Sequence, residues 1–129
     1  MATINWNCLG FPSGNWDERK IWAIALPSEE MHIREFLWLF KIPYWESDNE
    51  EEFIIRPWDV IYRRPGSTKQ WIRTQKADLS FPIDVLYYKG NWIVLDGVHR
   101  LVKAYLQNKK TISVRIFPEE RLNEIMTES

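Results

Sequence analysis

The sequence predicts an α+β fold: a small mixed β-sheet in which a β-hairpin feeds an amphipathic helix, with shorter helices at its flanks. Three observations predict it. Ile83-Asp84-Val85-Leu86-Tyr87-Tyr88 and Asn91-Trp92-Ile93-Val94-Leu95 are β-rich runs separated only by Lys89-Gly90, a two-residue hairpin signal. Val98, Leu101, Val102, Tyr105 and Leu106 then recur at the spacing of a single helix face. Thr111-Ile112-Ser113-Val114-Arg115-Ile116-Phe117 returns to the alternation of a strand.

The rest of the chain is less regular. Residues 1–19 are rich in Trp, Asn, Gly and Pro without a period, and are expected to form an irregular arm pinned by Trp6 and Trp16. The apolar run Ile21–Leu26, stopped by Pro27, is expected as a strand. Ile33, Phe36, Leu37 and Phe40 predict a short helix over 33–40, ended by Pro43. An acidic loop follows at 46–52. Pro57 suits the first turn of a helix carrying Trp58, Val60 and Ile61, closed by Pro65-Gly66. Ser67 or Thr68 is placed to cap a further helix through Lys76, with Trp71, Ile72 and Gln75 on one side. Pro118 opens a short acidic C-terminal helix.

Composition narrows the function classes. The 129 residues are the length of one domain, 45% of them are apolar, and there are eight Trp, five Tyr and six Phe, which argues for a packed core and against disorder. The only cysteine is Cys8, so no disulfide can form within the chain. No charged-then-apolar leader and no membrane-length apolar run is seen, so a cytoplasmic protein without membrane contact is expected. The net charge of -1 is no general nucleic-acid footprint. Charge is nevertheless uneven. Glu46, Asp48, Glu50, Glu51 and Glu52 face no base in their own stretch, whereas Arg56, Arg63, Arg64, Lys69, Arg73 and Lys76 meet Asp59 alone. The basic stretch 56–76 is therefore a candidate for weak DNA contact. Two histidines and one cysteine do not make a structural zinc site, and no Walker, Rossmann or nucleophile-elbow pattern is present around Ser13, Ser80, Ser113 or any glycine.

Asp96-Gly97-Val98-His99-Arg100 stands where strand becomes helix, and there the sequence carries chemistry. A helix start leaves about four backbone N–H groups without intrahelical acceptors, and the aligned peptide dipoles add roughly half a positive charge. Gly97 can adopt backbone conformations closed to other residues and lets a ligand approach closely. Together these make an anion site. With Val98, Leu101 and Val102 facing the core, His99, Arg100 and Lys103 are expected on the open side, as neighbours on the helix surface. Asp96 could cap the helix, position Arg100, or hold a metal or a ribose hydroxyl.

These residues resemble a known family. Pro82–Gly90, Leu95–Arg100 and Thr111–Arg115 look like the core of ParB/sulfiredoxin-like domains, in which a hairpin feeds a G-x-H-R turn that binds nucleotide phosphates. The resemblance covers residues 78–117, and Asp78-Leu79-Ser80 is similar to small stand-alone ParB-like proteins. It implies that Asp96, Gly97, Val98, His99, Arg100 and Lys103 bind ATP or another nucleoside triphosphate, with magnesium carried in by the nucleotide. The function it implies is a nucleotide-phosphate-binding domain, as a small ATP-using phosphotransferase or hydrolase. The alternative is a non-catalytic module associated with DNA or a protein partner. Val98 stands where sulfiredoxins carry their nucleophilic cysteine, so repair of peroxiredoxin sulfinic acid is excluded. No helix-turn-helix domain of the chromosome-partitioning proteins follows the core. The ATP-contacting lysine of sulfiredoxins cannot be assigned among Lys69, Arg73 and Lys76. By comparison with the free-serine kinases of the family, Glu35 is the candidate catalytic base. An acid such as Glu35 or Asp84 within reach of the phosphates would favour an enzyme.

Overall fold

The computed structural model describes residues 9–12, 15–50 and 53–127. Its centre is a four-stranded mixed sheet in the order β1-β6-β4-β5, built from Ser28–His32 (β1), Ile83–Tyr88 (β4), Asn91–Asp96 (β5) and Thr111–Ile116 (β6). Trp45–Glu46 (β2) and Phe53–Ile55 (β3) form a separate two-stranded sheet. The helices are Glu18–Trp22 (α1), Pro57–Ile61 (α2), Thr68–Lys76 (α3) and Val98–Leu106 (α4), with 3₁₀ helices at Ile33–Lys41 and Glu119–Glu124. None of the described helices is long and apolar enough to cross a membrane.

The hairpin forms as its sequence predicts. Lys89 and Gly90 both have positive φ, 48° and 85°, as a two-residue turn of this twist requires. Tyr88 therefore pairs with Asn91, and the ladder runs back to Asp84 opposite Asp96, with a register irregularity between Asp84 and Val85. β4 also pairs in parallel with β6, which makes it one of the two inner strands, and Ile83 to Leu86 are all buried. β5 is an edge strand, yet it is covered. The indole N–H of Trp16 donates to the Leu95 carbonyl at 2.8 Å, and that of Trp38 to the Trp92 carbonyl at 2.9 Å. The opposite edge, β1, carries exposed Glu29 and Glu30, charges that discourage edge-to-edge pairing.

Several expectations need correction. Residues 21–26 are not a strand. Asp17 accepts a hydrogen bond from the Arg19 amide and starts α1, which buries Ile21 and leaves Trp22 outside; the arm expected to end at residue 19 thus gives way to helix at Glu18. The edge strand is instead the mostly polar Ser28–His32, which pairs along β6 and has Met31 as its one apolar residue. In the 33–41 helix, which is 3₁₀, Ile33, Phe36 and Phe40 are buried as expected; Leu39 is buried too, at the three-residue repeat from Ile33 and Phe36, and Leu37 is only half-buried. The inward residues of α3 are Gln70 and Thr74, not Ile72 and Gln75, which are exposed. Ser67 is the N-cap residue of α3 but makes no side-chain cap; the Asp48 carboxylate accepts from the amides of Thr68 and Lys69 instead. Trp6, Cys8, Ser13, Glu51 and Glu52 lie outside the described residues.

α4 buries Leu101, Val102 and Ala104 against the sheet, and Tyr105 packs edge-on against Phe40 and Trp58. Its N-cap is Gly97, not Asp96, with φ 113°. A Cβ at Gly97 would lie 2.6 Å from Ile83 Cγ2 and 3.3 Å from the Ile83 Cα. This position therefore requires glycine twice, for conformation and for space. Gly97→Ala should destabilise the fold by roughly 2–4 kcal/mol, from left-handed backbone strain and overpacking on β4. Urea denaturation measures it, and a loss under ~1 kcal/mol would show that the turn relaxes freely.

Candidate functional site

The amino end of α4 opens onto a cleft of about 360 Å³, lined on the α4 side by Asp96, Gly97, Val98 and His99 and on the other by Trp16, Glu18 and Trp45. Gly97 supplies no side-chain cap, and the first turn of α4 contains no acid. The helical bonding begins with Leu101 N–H donating to the Gly97 carbonyl at 3.0 Å, so the amides of Val98, His99 and Arg100 precede it. The helix start therefore has no acid within its own first turn, and the carboxylates nearest it across the cleft are those of Asp96 and Glu18.

His99 is held tightly on this cleft. Its ring stacks on Trp45 with centroids 4.3 Å apart and planes 16° apart. Its Nε2 lies 2.9 Å from Gln70 Oε1. The Gln70 amide nitrogen donates to the Glu46 carbonyl, which fixes the amide orientation. Oε1 can only accept, so His99 Nε2 carries the proton and Nδ1 keeps its lone pair. Burial pushes the His99 pKa from its ordinary 6.5 to about 4; the positive charge of Arg73 adds to this and Asp96 opposes it. His99 is therefore neutral at pH 7, which removes the cost of a cation at the positive end of a helix.

The other candidates are differently placed. Arg100 does not stand open to solvent. Its Nη2 donates to Asp96 at 3.0 Å, its Nη1 to the carbonyls of Pro82 and Phe81, and its side chain is 19% exposed. The reason is that the hairpin delivers Asp96 and the chain before β4 to the same side of the turn, and the guanidinium fills the space between them. Asp96 also accepts from the Trp22 indole at 2.8 Å. Lys103 donates to the carbonyls of Gln75 and Ala77 at 2.8 and 2.7 Å, closing the carboxyl end of α3 rather than the cleft. Glu35 is exposed and lines no part of the cleft. Its helix begins where the Ile33 amide donates to the Lys110 carbonyl, beyond the carboxyl end of α4, so Glu35 is not brought to the turn.

Asp84 is buried, with burial raising its pKa against the opposing hydrogen bond from Arg115 at 2.7 Å. Much of the basic stretch is consumed internally. Burial alone would raise Asp59, but hydrogen bonds from Arg56 and Arg64 hold it at about 2. Lys69 pairs with Glu46 and Glu50, and Arg63 lies over the Trp71 ring. Arg73 and Lys76 remain exposed. Among the described residues, no group of three or more His, Cys, Asp or Glu is arranged to hold a metal.

Comparison with known proteins adds nothing to this geometry. No family model, characterised protein or solved structure matches the chain. Site residues that the sequence pattern did not mark include Trp16, Glu18, Trp45 and Gln70. Gln70 did carry a signal: Ser67, Gln70 and Thr74 recur at helical spacing and are all buried, a polar stripe facing inward.

The His99 shift has a consequence for stability. The unfolded chain binds a proton near pH 6.5 and the fold resists it until about pH 4. Stability contributed by neutral His99 is thus complete above pH 6.5 and is lost as pH falls toward 4, by up to about 3 kcal/mol. Urea denaturation between pH 7 and 4 should show this fall, and His99→Phe, which retains a ring for Trp45, should flatten it. An equally steep fall in the variant would assign the effect to other groups.

Proposed function

We propose that the cleft at the amino end of α4 binds the phosphates of ATP or another nucleoside triphosphate, as a ParB/sulfiredoxin-like nucleotide-phosphate-binding domain. One observation carries this reading: the uncapped start of α4 behind left-handed Gly97 faces an open cleft rather than protein. Successive backbone N–H groups and the helix dipole would hold phosphate oxygens there without a charged side chain. Arg73, close enough for its charge to act on His99, adds a positive field.

Asp96 and Glu18 share the cleft, and their carboxylates would repel a bare polyphosphate. A magnesium ion brought by the nucleotide would reverse that, because it favours carboxylate and phosphate oxygens together. His99 would contribute a hydrogen-bond acceptor at Nδ1, since its Nε2 proton is engaged by Gln70. The chain thus offers binding groups more plainly than a catalytic base, Glu35 being remote. The DNA-associated alternative draws little support from residues 56–76, because Arg56, Arg64 and Lys69 close on acids of the same chain.

A thermal-shift panel of nucleoside triphosphates and tripolyphosphate, with and without magnesium, tests the proposal. A ligand at 100 times its dissociation constant should stabilise the fold by ~2.7 kcal/mol, and magnesium should enhance the effect. Absence of a shift with every compound at millimolar concentration would overturn the reading.

A further inference from the structure

Gln70 is buried behind His99, 1% exposed, with both ends of its amide fixed. Its Nε2 donates to the Glu46 carbonyl at 3.2 Å, and its Oε1 accepts from His99 Nε2 at 2.9 Å. β2 anchors the arrangement twice, because Glu46 orients the Gln70 amide and the neighbouring Trp45 stacks on the His99 ring. The imidazole can neither turn over nor move its proton without breaking a buried hydrogen bond. The lock leaves Nδ1 open. That atom has no hydrogen-bond partner among the described residues and is not sealed from solvent, and its ring lines the cleft.

A neutral histidine beside an anion ordinarily serves as a donor, since either ring nitrogen can carry the proton. Here His99 can only accept. The carboxylates of Asp96 and Glu18, which line the same cleft, only accept as well. The amides at the start of α4 are donors. An anion whose oxygens are all bare satisfies the amides and opposes those three acceptors. An anion with an O–H of its own satisfies both sides.

We propose that Gln70 is a specificity-determining residue of this cleft: by holding the His99 proton on Nε2, it selects an oxyanion that carries its own proton, such as hydrogen phosphate or a singly protonated terminal phosphate, over a fully ionised one such as sulfate. The inference rests on the phosphate-binding reading above and adds the hydrogen that the bound group must bring. A water molecule on a magnesium ion would offer His99 the same O–H, so a metal-free comparison isolates the proton of the ligand itself.

Orthophosphate and sulfate share a tetrahedral shape, and near neutral pH only orthophosphate keeps a proton. Magnesium-free titrations of the full chain with each ion, read at the Val98 and His99 amides in ¹H–¹⁵N spectra, test the inference. Two-bond correlations of the imidazole nitrogens report the tautomer. The parent should show Nε2 protonated and Nδ1 bare, and should bind orthophosphate roughly tenfold or more tightly than sulfate, the scale of one acceptor left facing an anion. Gln70→Met removes the lock and lets the ring turn its proton to the ligand, so sulfate should then bind within about threefold of orthophosphate. A merely structural glutamine would weaken both ions together and leave their ratio unchanged. His99→Phe, which removes the acceptor itself, should bring the two ions together in the same way and serves if Gln70→Met does not fold. A proton on Nδ1 in the parent, equal binding of the two ions by the parent, or an unchanged ratio in a folded variant would overturn the inference. Failure of both ions to bind would overturn it too; binding of magnesium tripolyphosphate in that case would leave the phosphate reading standing, and its absence would end both.

Discussion

The contact of Gly97 with Ile83 is the constraint on which the rest of the structure turns. The edge strand β5 must give way at once to α4, and α4 must lie back over β4 and β6 to bury Leu101, Val102 and Ala104. A left-handed residue with no Cβ makes that reversal in one step, with its backbone pressed against the Ile83 side chain. Everything at the candidate site inherits its position from this step. Gly97, Val98 and His99 line the cleft, Asp96 is aligned with Arg100 one helical turn later, and His99 is carried to Trp45.

Electrostatics around the turn follow a common pattern in which the charged side chains are spent on structure. Arg100 joins Asp96 to the chain before β4, Arg115 joins Asp84 to the carbonyls of Ile21 and Ile24, and Lys103 closes α3. These cations are partly buried with their partners, so their loss would leave carboxylates or carbonyls unsatisfied, at a cost greater than that of an exposed pair. His99, which a sequence reader counts as a potential cation, is neutral because burial outweighs the influence of Asp96. The amino end of α4 keeps a first turn without an acid, with Asp96 just before it.

The hairpin, α4 and β6 were legible because their signals are local: a two-residue turn, a helical stripe and an alternating strand within 35 consecutive residues, 83–117. The strand mistaken at 21–26 shows the limit of such signals. Its apolar run is short, and Asp17 caps a helix there, while the mostly polar strand Ser28–His32 formed where β6 offered an edge. The turn itself was legible as a special place, and its Gly97 as a residue that needs freedom. The direction of Arg100 was not, because helical spacing says which side chains avoid the core but not which long-range carbonyls will meet them. Gln70 was missed because buried polar residues on a helix are unusual, and its partner His99 lies on a different element.

The central claim is that the first amides of α4 are the binding groups of this chain. Amide-resolved ¹H–¹⁵N correlation spectra during titration with magnesium tripolyphosphate test it most directly, because each N–H reports its own hydrogen bonding. The account predicts the largest changes at Gly97, Val98, His99 and Arg100, with the indole N–H of Trp16 and the ring of His99 responding less. Changes confined to the exposed residues Arg73 and Lys76 of α3, or none at the α4 start at saturating ligand, would contradict it.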